Sequence, residues 1–139
     1  MSLVLDSSAT LAWMLAEETT DAVNQAFDAI TRDGAWAPAI WRLEVANGLQ
    51  MAVRRGRISA DDRDAFLADL RDFAIAADDE TDRHAWSTTL RLAERFGLTL
   101  YDAAYLELAQ RRRLPLATLD QDLRAAAGVL NVELLGIAD

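Results

Sequence analysis

The feature that most constrains this chain is a recurring change of period. Short apolar runs suited to buried strands alternate with longer stretches whose apolar residues recur every three or four positions. Leu3 to Leu5 is the first such run, and a serine-rich step leads from it into a helical stretch, Ala9 to Ala16. A second helix is expected from Thr20 to Ile30, ending near Asp33-Gly34, and Ala35 to Ala37 then reads as a short strand stopped by Pro38. Ile40 to Arg55 is helical and stops at Gly56. Ser59 with Asp62 has the spacing of a capping box, and Phe66, Leu67, Leu70 and Phe73 form the apolar stripe of the helix that follows. Further strands are expected at Ala74 to Ala76, Pro115 to Thr118 and Val132 to Leu135, with helices over Asp82 to Phe96, Tyr101 to Arg112 and Asp120 to Ala127. Such alternation predicts an α/β fold with a parallel sheet covered on both faces. The helices between Ile40 and Phe73 follow one another without a strand, which predicts a lobe at one edge of the sheet.

At 139 residues, with no linker, repeat or low-complexity tract, the chain is expected to be a single domain spanning residues 1–139. It has no cysteine, which removes disulfides, thiolate metal sites and thiol nucleophiles together. No apolar run approaches the roughly 18 residues of a membrane span, and MSLVLDSSATLAWML carries no basic leader. A cytoplasmic location without membrane attachment is the expectation.

Four acids fall where a strand hands over to a helix or in the first turns of that helix: Asp6, Glu44, Asp102 and Asp120. Open parallel sheets bind ligands beyond the carboxyl ends of their strands, so residues distant in sequence are delivered to one place. Gathering carboxylates is costly, since two unit charges 4 Å apart repel by about 4 kcal/mol at an effective dielectric of about 20. A hard divalent cation resolves that conflict. With no Cys and a single His, an oxygen-only donor set favours Mg²⁺, Mn²⁺ or Ca²⁺ over zinc or copper. Ser8, two residues after Asp6, and Thr118, two before Asp120, supply hydroxyls able to orient a neighbouring carboxylate. Each acid also has a simpler reading. Asp6 and Asp120 fit helix N-caps, Thr99 to Asp102 fits a capping box with Asp in place of Glu, and Glu44 fits an ordinary surface acid.

The segments LVLDSSA, WRLEVANGL, LTLYDAAYLELAQRRRLPLATLD and the closing VELLG resemble the PIN domain, and more narrowly the VapC-type toxins of bacterial toxin–antitoxin pairs, over nearly the whole chain. The resemblance implies a three-layer α/β/α fold with a short central parallel sheet. It also implies a Mg²⁺- or Mn²⁺-dependent endoribonuclease that forms a homodimer, is occluded by a cognate antitoxin protein, and leaves a 5′-phosphate and a 3′-hydroxyl on its RNA. By position, Asp6, Glu44, Asp102 and Asp120 match the family's acidic site and Ser8 and Thr118 its small polar neighbours, while Asp122 falls where some members carry an additional acid.

All 14 basic residues are arginines, set against 23 acids, for a net charge of −9. That balance runs against the basic surface by which proteins usually meet phosphate backbones. Two clusters offset it locally, Arg54, Arg55 and Arg57, and Arg111, Arg112 and Arg113. The second could contact an RNA backbone or complement a helix dipole. His84 reads as a surface residue. Trp13, Trp41 and Trp86 on helical stripes and Trp36 in a strand read as core or dimer packing. Receiver domains and haloacid-dehalogenase-type phosphatases also place Asp at strand ends, but both need a Lys, which is absent. A non-catalytic interaction module and a DNA-directed nuclease are the other readings.

Overall fold

The computed structural model describes residues 1–15 and 18–136. In chain order the elements are β1 (Leu3–Leu5), α1 (Ser7–Met14), α2 (Asp21–Asp33), β2 (Ala35–Ala37), α3 (Trp41–Arg54), α4 (Ala60–Arg71), β3 (Ile75–Ala77), α5 (Thr81–Ala85), α6 (Thr88–Phe96), α7 (Leu100–Arg112), β4 (Leu116–Ala117), α8 (Gln121–Val129) and β5 (Leu134–Leu135). The end of the expected first helix, at Ala16, lies outside the described residues.

The strands form one parallel sheet in the order β3-β2-β1-β4-β5. The chain therefore works outward from β1 to one edge, then returns to lay β4 on the other side of β1. The point where the direction of winding reverses lies between β1 and β4, and there the strand ends open a crevice. The α/β fold and its parallel sheet are as the alternation predicted. No helix among the described residues is long and apolar enough to cross a membrane.

Burial follows the periodicity closely. β1 is buried at every position, as a central strand covered on both faces must be. α2 buries Val23, Ala26, Phe27 and Ile30, a stripe at helical spacing, and Thr20 caps its start by accepting the Val23 N–H at 3.2 Å. Trp13 stacks on Phe27 with ring centroids 4.4 Å apart, and Phe73 meets both rings edge-on. α7 is buried continuously from Ala103 to Ala109 and is the core helix of the molecule. α4, by contrast, buries only Leu70, as expected of a peripheral lobe. Its capping box forms in full, with Ser59 and Asp62 exchanging both hydrogen bonds.

The structure corrects the stretch read as one helix from Asp82 to Phe96. It breaks into α5 and α6 around Trp86 and Ser87, and Trp86 is 92% exposed. The stripe Trp86, Leu90, Ala93 has helical spacing, yet the buried face of α6 is Thr89, Leu92 and Ala93, and Leu90 is half-exposed. Of the expected stripe, Trp86 and Leu90 turn outward, while Ala93 and Phe96 pack against the core. Trp86 therefore has no place in the monomer core. Strand limits move by a residue or two, β3 being Ile75–Ala77 and β4 only Leu116–Ala117.

Gly34 ends α2 with φ +75° and ψ −177°, a region open almost only to glycine, and a Cβ there would sit 3.0 Å from the Ala74 carbonyl oxygen. Gly34→Ala should therefore lower unfolding free energy by about 1–3 kcal/mol in urea titrations, through backbone strain and the pressure on β3. A variant as stable as the parent would show that the turn relaxes.

Candidate active site

Asp6 follows the last residue of β1 and is buried, 3% exposed. It occupies the N-cap position of α1, but its carboxylate caps nothing. Instead Oδ2 accepts the Ser8 hydroxyl at 2.6 Å and the Thr118 hydroxyl at 2.7 Å. These hydroxyls lie 3.3 Å apart and are fixed in turn, Ser8 Oγ accepting the Leu119 N–H and Thr118 Oγ1 accepting the Asp120 N–H. One small network thus joins the carboxyl ends of β1 and β4 across the switch point and sets where Asp120 leaves the sheet.

Glu44 arrives from α3. Trp41, one turn earlier, donates its indole N–H to Thr10 Oγ1, whose hydroxyl donates to the Asp6 carbonyl, so the start of α3 is tied to the end of β1. Glu44 accepts a hydrogen bond from the Tyr105 hydroxyl. Asp102 stands in the first turn of α7, where Thr99 Oγ1 accepts its N–H at 3.1 Å. Asp120 is the N-cap of α8 and receives the Leu123 N–H on Oδ1. The capping reading thus holds for Asp120, which keeps a second oxygen, and fails for Asp6.

The electrostatics show that these acids sense one another. Burial pushes the Asp6 carboxyl above its ordinary pKa, the hydroxyls of Ser8 and Thr118 oppose that rise, and Asp120 adds to it. Glu44 is raised by burial and by the charges of Asp6 and Asp102, against the Tyr105 hydrogen bond. Asp102 is raised by burial, then by Asp120, Asp6 and Asp122. Tyr105 is raised far beyond its usual range by burial, by Asp6 and by Glu44, so its phenol remains a donor. The groups acting on these carboxylates are hydroxyls, backbone N–H groups and other carboxylates, an all-oxygen acidic set matched to a hard divalent cation.

The PIN domain family model matches residues 3–129. The chain belongs to the PIN domain family. It is 35% identical over 127 residues to a protein named Ribonuclease VapC3 from Pyrobaculum aerophilum, covering 88% of this chain and 92% of that one. It is 32% identical over 126 residues to another protein of that name from Mycobacterium tuberculosis, covering 89% and 86%. These likenesses place it with the VapC-type PIN domains. Among solved structures, one from Pyrobaculum aerophilum superposes with a TM-score of 0.67 at 26% identity, covering 91% of this chain and 79% of that one. FitAcB from Neisseria gonorrhoeae superposes with a TM-score of 0.64 at 18% identity, each chain covered to 96%, a likeness of fold.

This PIN domain carries one further strand-end acid that its sequence reading passed over. Asp78 follows β3, and among the described residues Asp78, Asp79 and Glu80 are the acids whose oxygens gather within 4.8 Å of one another. No three of Asp6, Glu44, Asp102 and Asp120 gather that closely. Proximity alone is a poor guide here, because Asp78 is already neutralised. Arg111 contacts it at 2.6 Å, Arg112 at 3.4 Å, and the Thr81 hydroxyl donates to it at 3.0 Å. Although Asp78 is buried, these partners hold its carboxyl below the usual range.

The same contacts reassign the second arginine cluster. Arg111 bridges Asp78, Glu80 and the buried Glu107, and Arg112 lies 3.6 Å from the centroid of the Trp36 ring besides pairing with Asp78. Both are committed within the chain. Arg113 is exposed and caps α7 in a left-handed conformation. Arg54 and Arg55 are exposed at the end of α3, Arg57 pairs with Glu18, and Asp122 is exposed in the first turn of α8. His84 is half-buried and takes no part in the acid cluster. Besides Asp78, sequence reasoning missed Tyr105, which donates to Glu44. Its signal was available, since Asp102 and Tyr105 are three apart on one helix and so share a face.

Arg111→Ala should leave Asp78 and Glu107 as buried, under-compensated charges and cost about 3–5 kcal/mol in equilibrium unfolding. Arg113→Ala, by comparison, should be nearly silent, and equal effects of the two would remove the distinction drawn here. The acid cluster predicts a second, pH-dependent effect. Because the folded pKa of Asp102 is raised above 3.8, this group's contribution to stability is present below that value and is lost as pH rises through the folded pKa. In chelator, Asp102→Asn should therefore gain melting temperature relative to the parent as pH rises from the ordinary Asp value toward neutrality. A difference that is flat with pH, or that shrinks, would contradict the like-charge coupling.

Proposed function

We propose that this chain is a divalent-metal-dependent endoribonuclease, the toxin of a toxin–antitoxin pair, acting in the cytoplasm on RNA phosphodiester bonds. The observation that carries this reading is the set Asp6, Glu44, Asp102 and Asp120, mutually repelling acids drawn from separate elements to the switch point of a parallel sheet. The names of its VapC3 relatives support the ribonuclease activity. A structural neighbour titled as a toxin–antitoxin complex from Klebsiella pneumoniae supports an antitoxin partner through its shared fold, with a TM-score of 0.60, 21% identity and 94% of each chain covered.

Asp6, Asp102, Asp120 and Glu44 are the groups that would hold Mg²⁺ or Mn²⁺. Bound there, the ion supplies a lowered water pKa and charge stabilisation at the phosphorus oxygens. The chain's own task is placement. Ser8 and Thr118 saturate one oxygen of Asp6 and hold its carboxylate still, so that its second oxygen is presented from a rigid strand end. Asp120 is held through its capping bond to Leu123, and Asp102 stands one residue before the buried stretch of α7. Asp122 stands close enough to raise the Asp102 pKa and is a helper to the field rather than a fixed group. No Lys exists to protonate a leaving oxygen, so the charge on the leaving group would fall to the bound metal or to solvent.

Large apolar side chains lie exposed at Leu43, Trp86, Leu90 and Tyr101, surface that a second copy of the chain would cover in the homodimer expected from the family resemblance. The exposed cations of the two clusters, Arg54, Arg55, Arg57 and Arg113, are the groups available to an RNA backbone.

The test is cleavage of structured RNAs by the purified chain with and without Mg²⁺ or Mn²⁺, with single- and double-stranded DNA in parallel. Asp6→Asn and Asp102→Asn should each reduce metal-dependent RNA cleavage by about 10²–10³-fold. Full activity in both variants would sink the site. Preference for DNA would redirect the substrate, and inertness under every divalent ion would favour a non-catalytic interaction module.

A further inference from the structure

We propose that Tyr105 is a positioning residue that holds Glu44 in the acid cluster, so that a single face of α7 organises two acids belonging to different helices. The inference rests on the nuclease reading of that cluster.

Glu44 is held in the cluster by a long side chain with a single hydrogen bond. It lies in the first turn of α3 beside Leu43, which is 75% exposed, and it is itself half-exposed. A glutamate there has rotatable bonds enough to swing into water, and repulsion from Asp6 and Asp102 drives it that way. The opposing force is one hydrogen bond from the Tyr105 hydroxyl to Glu44 Oε1. Tyr105 can exert it because the residue itself cannot move. It has no exposed surface, and it sits in the continuously buried stretch of α7. Asp102 stands one turn earlier on the same face. The far end of the helix is clamped by Arg111 to Asp78.

The chemistry of the tether matters as much as its position. At Asp78 the same kind of strand-end acid is restrained by guanidinium groups, which neutralise it and occupy both of its oxygens. A phenol restrains without adding charge, engages one oxygen of Glu44, and leaves the second for a cation. Phenylalanine would fill the same core space but would leave Glu44 free to turn away.

The experiment is Mn²⁺ titration by calorimetry and RNA cleavage kinetics on the full chain, comparing the parent, Tyr105→Phe, Glu44→Gln and the double variant. Tyr105→Phe should keep its fold, because the freed Glu44 oxygen reaches water. It should lose Mn²⁺ affinity, kcat, or both by about 10–100-fold, the usual cost of removing a group that orients a ligand. In the Glu44→Gln background the same change should cost little more, since there is no carboxylate left to place. An unchanged Tyr105→Phe, or an equal loss in both backgrounds, overturns the proposal. A variant that fails to fold overturns it too, by assigning the phenol to core stability. A parent that neither binds Mn²⁺ nor cuts RNA removes the nuclease reading and this inference together. An active parent with an unaffected Tyr105→Phe removes this inference alone.

Discussion

A buried carboxylate at the end of a central strand is the constraint around which this molecule is arranged. Asp6 has lost most of its water, and what replaces that water is a pair of hydroxyls, Ser8 from its own helix and Thr118 from beyond the neighbouring strand. Each hydroxyl is itself claimed by a backbone N–H on the far side of the switch point. The carboxylate, the two strand ends and the start of α8 therefore form one rigid unit. Displacing any of them would strand a polar group in a dry environment, which is expensive. The indole of Trp41 extends the unit to α3 through Thr10, and the remaining acids are presented around it.

Two kinds of acid stand at the carboxyl edge of the sheet, and their difference lies in the charge around them. Asp78 is surrounded by arginine and its carboxyl is held low, so that it locks β3 to α7. Asp6, Glu44 and Asp102 are surrounded by hydroxyls and one another, and their carboxyls are held high. The first arrangement stores its electrostatic energy in the fold. The second leaves like charges uncompensated within the fold, and functional sites commonly carry stress of that kind. A chain whose only strong bases are arginines can separate these roles sharply, because a guanidinium forms forked pairs where it is placed and is not lost by deprotonation.

Much of the fold could be read directly. Strand and helix types followed from period, and the capping signals at Ser59 and Thr99 fell where helices begin. The reading failed where one periodic pattern admitted two registers. Trp86, Leu90 and Ala93 match a helical stripe as well as Thr89, Leu92 and Ala93 do, and only the packing of α6 against α7 chose between them. It also weighed Arg111 to Arg113 as a possible nucleic-acid surface, because local sequence does not reveal that a buried Asp78 lies opposite.

For the site, the sequence by itself put Asp6, Glu44, Asp102 and Asp120 at strand ends and helix starts, which are local properties, and passed over Asp78 at the end of β3. It could not determine which of those acids would remain charged and unpaired. That depends on contacts between residues tens of positions apart: Thr118 with Asp6, Tyr105 with Glu44, Arg111 with Asp78. Burial and neighbouring charge are properties of the packed molecule. They turned one strand-end aspartate into a structural anchor and the others into a coupled cluster.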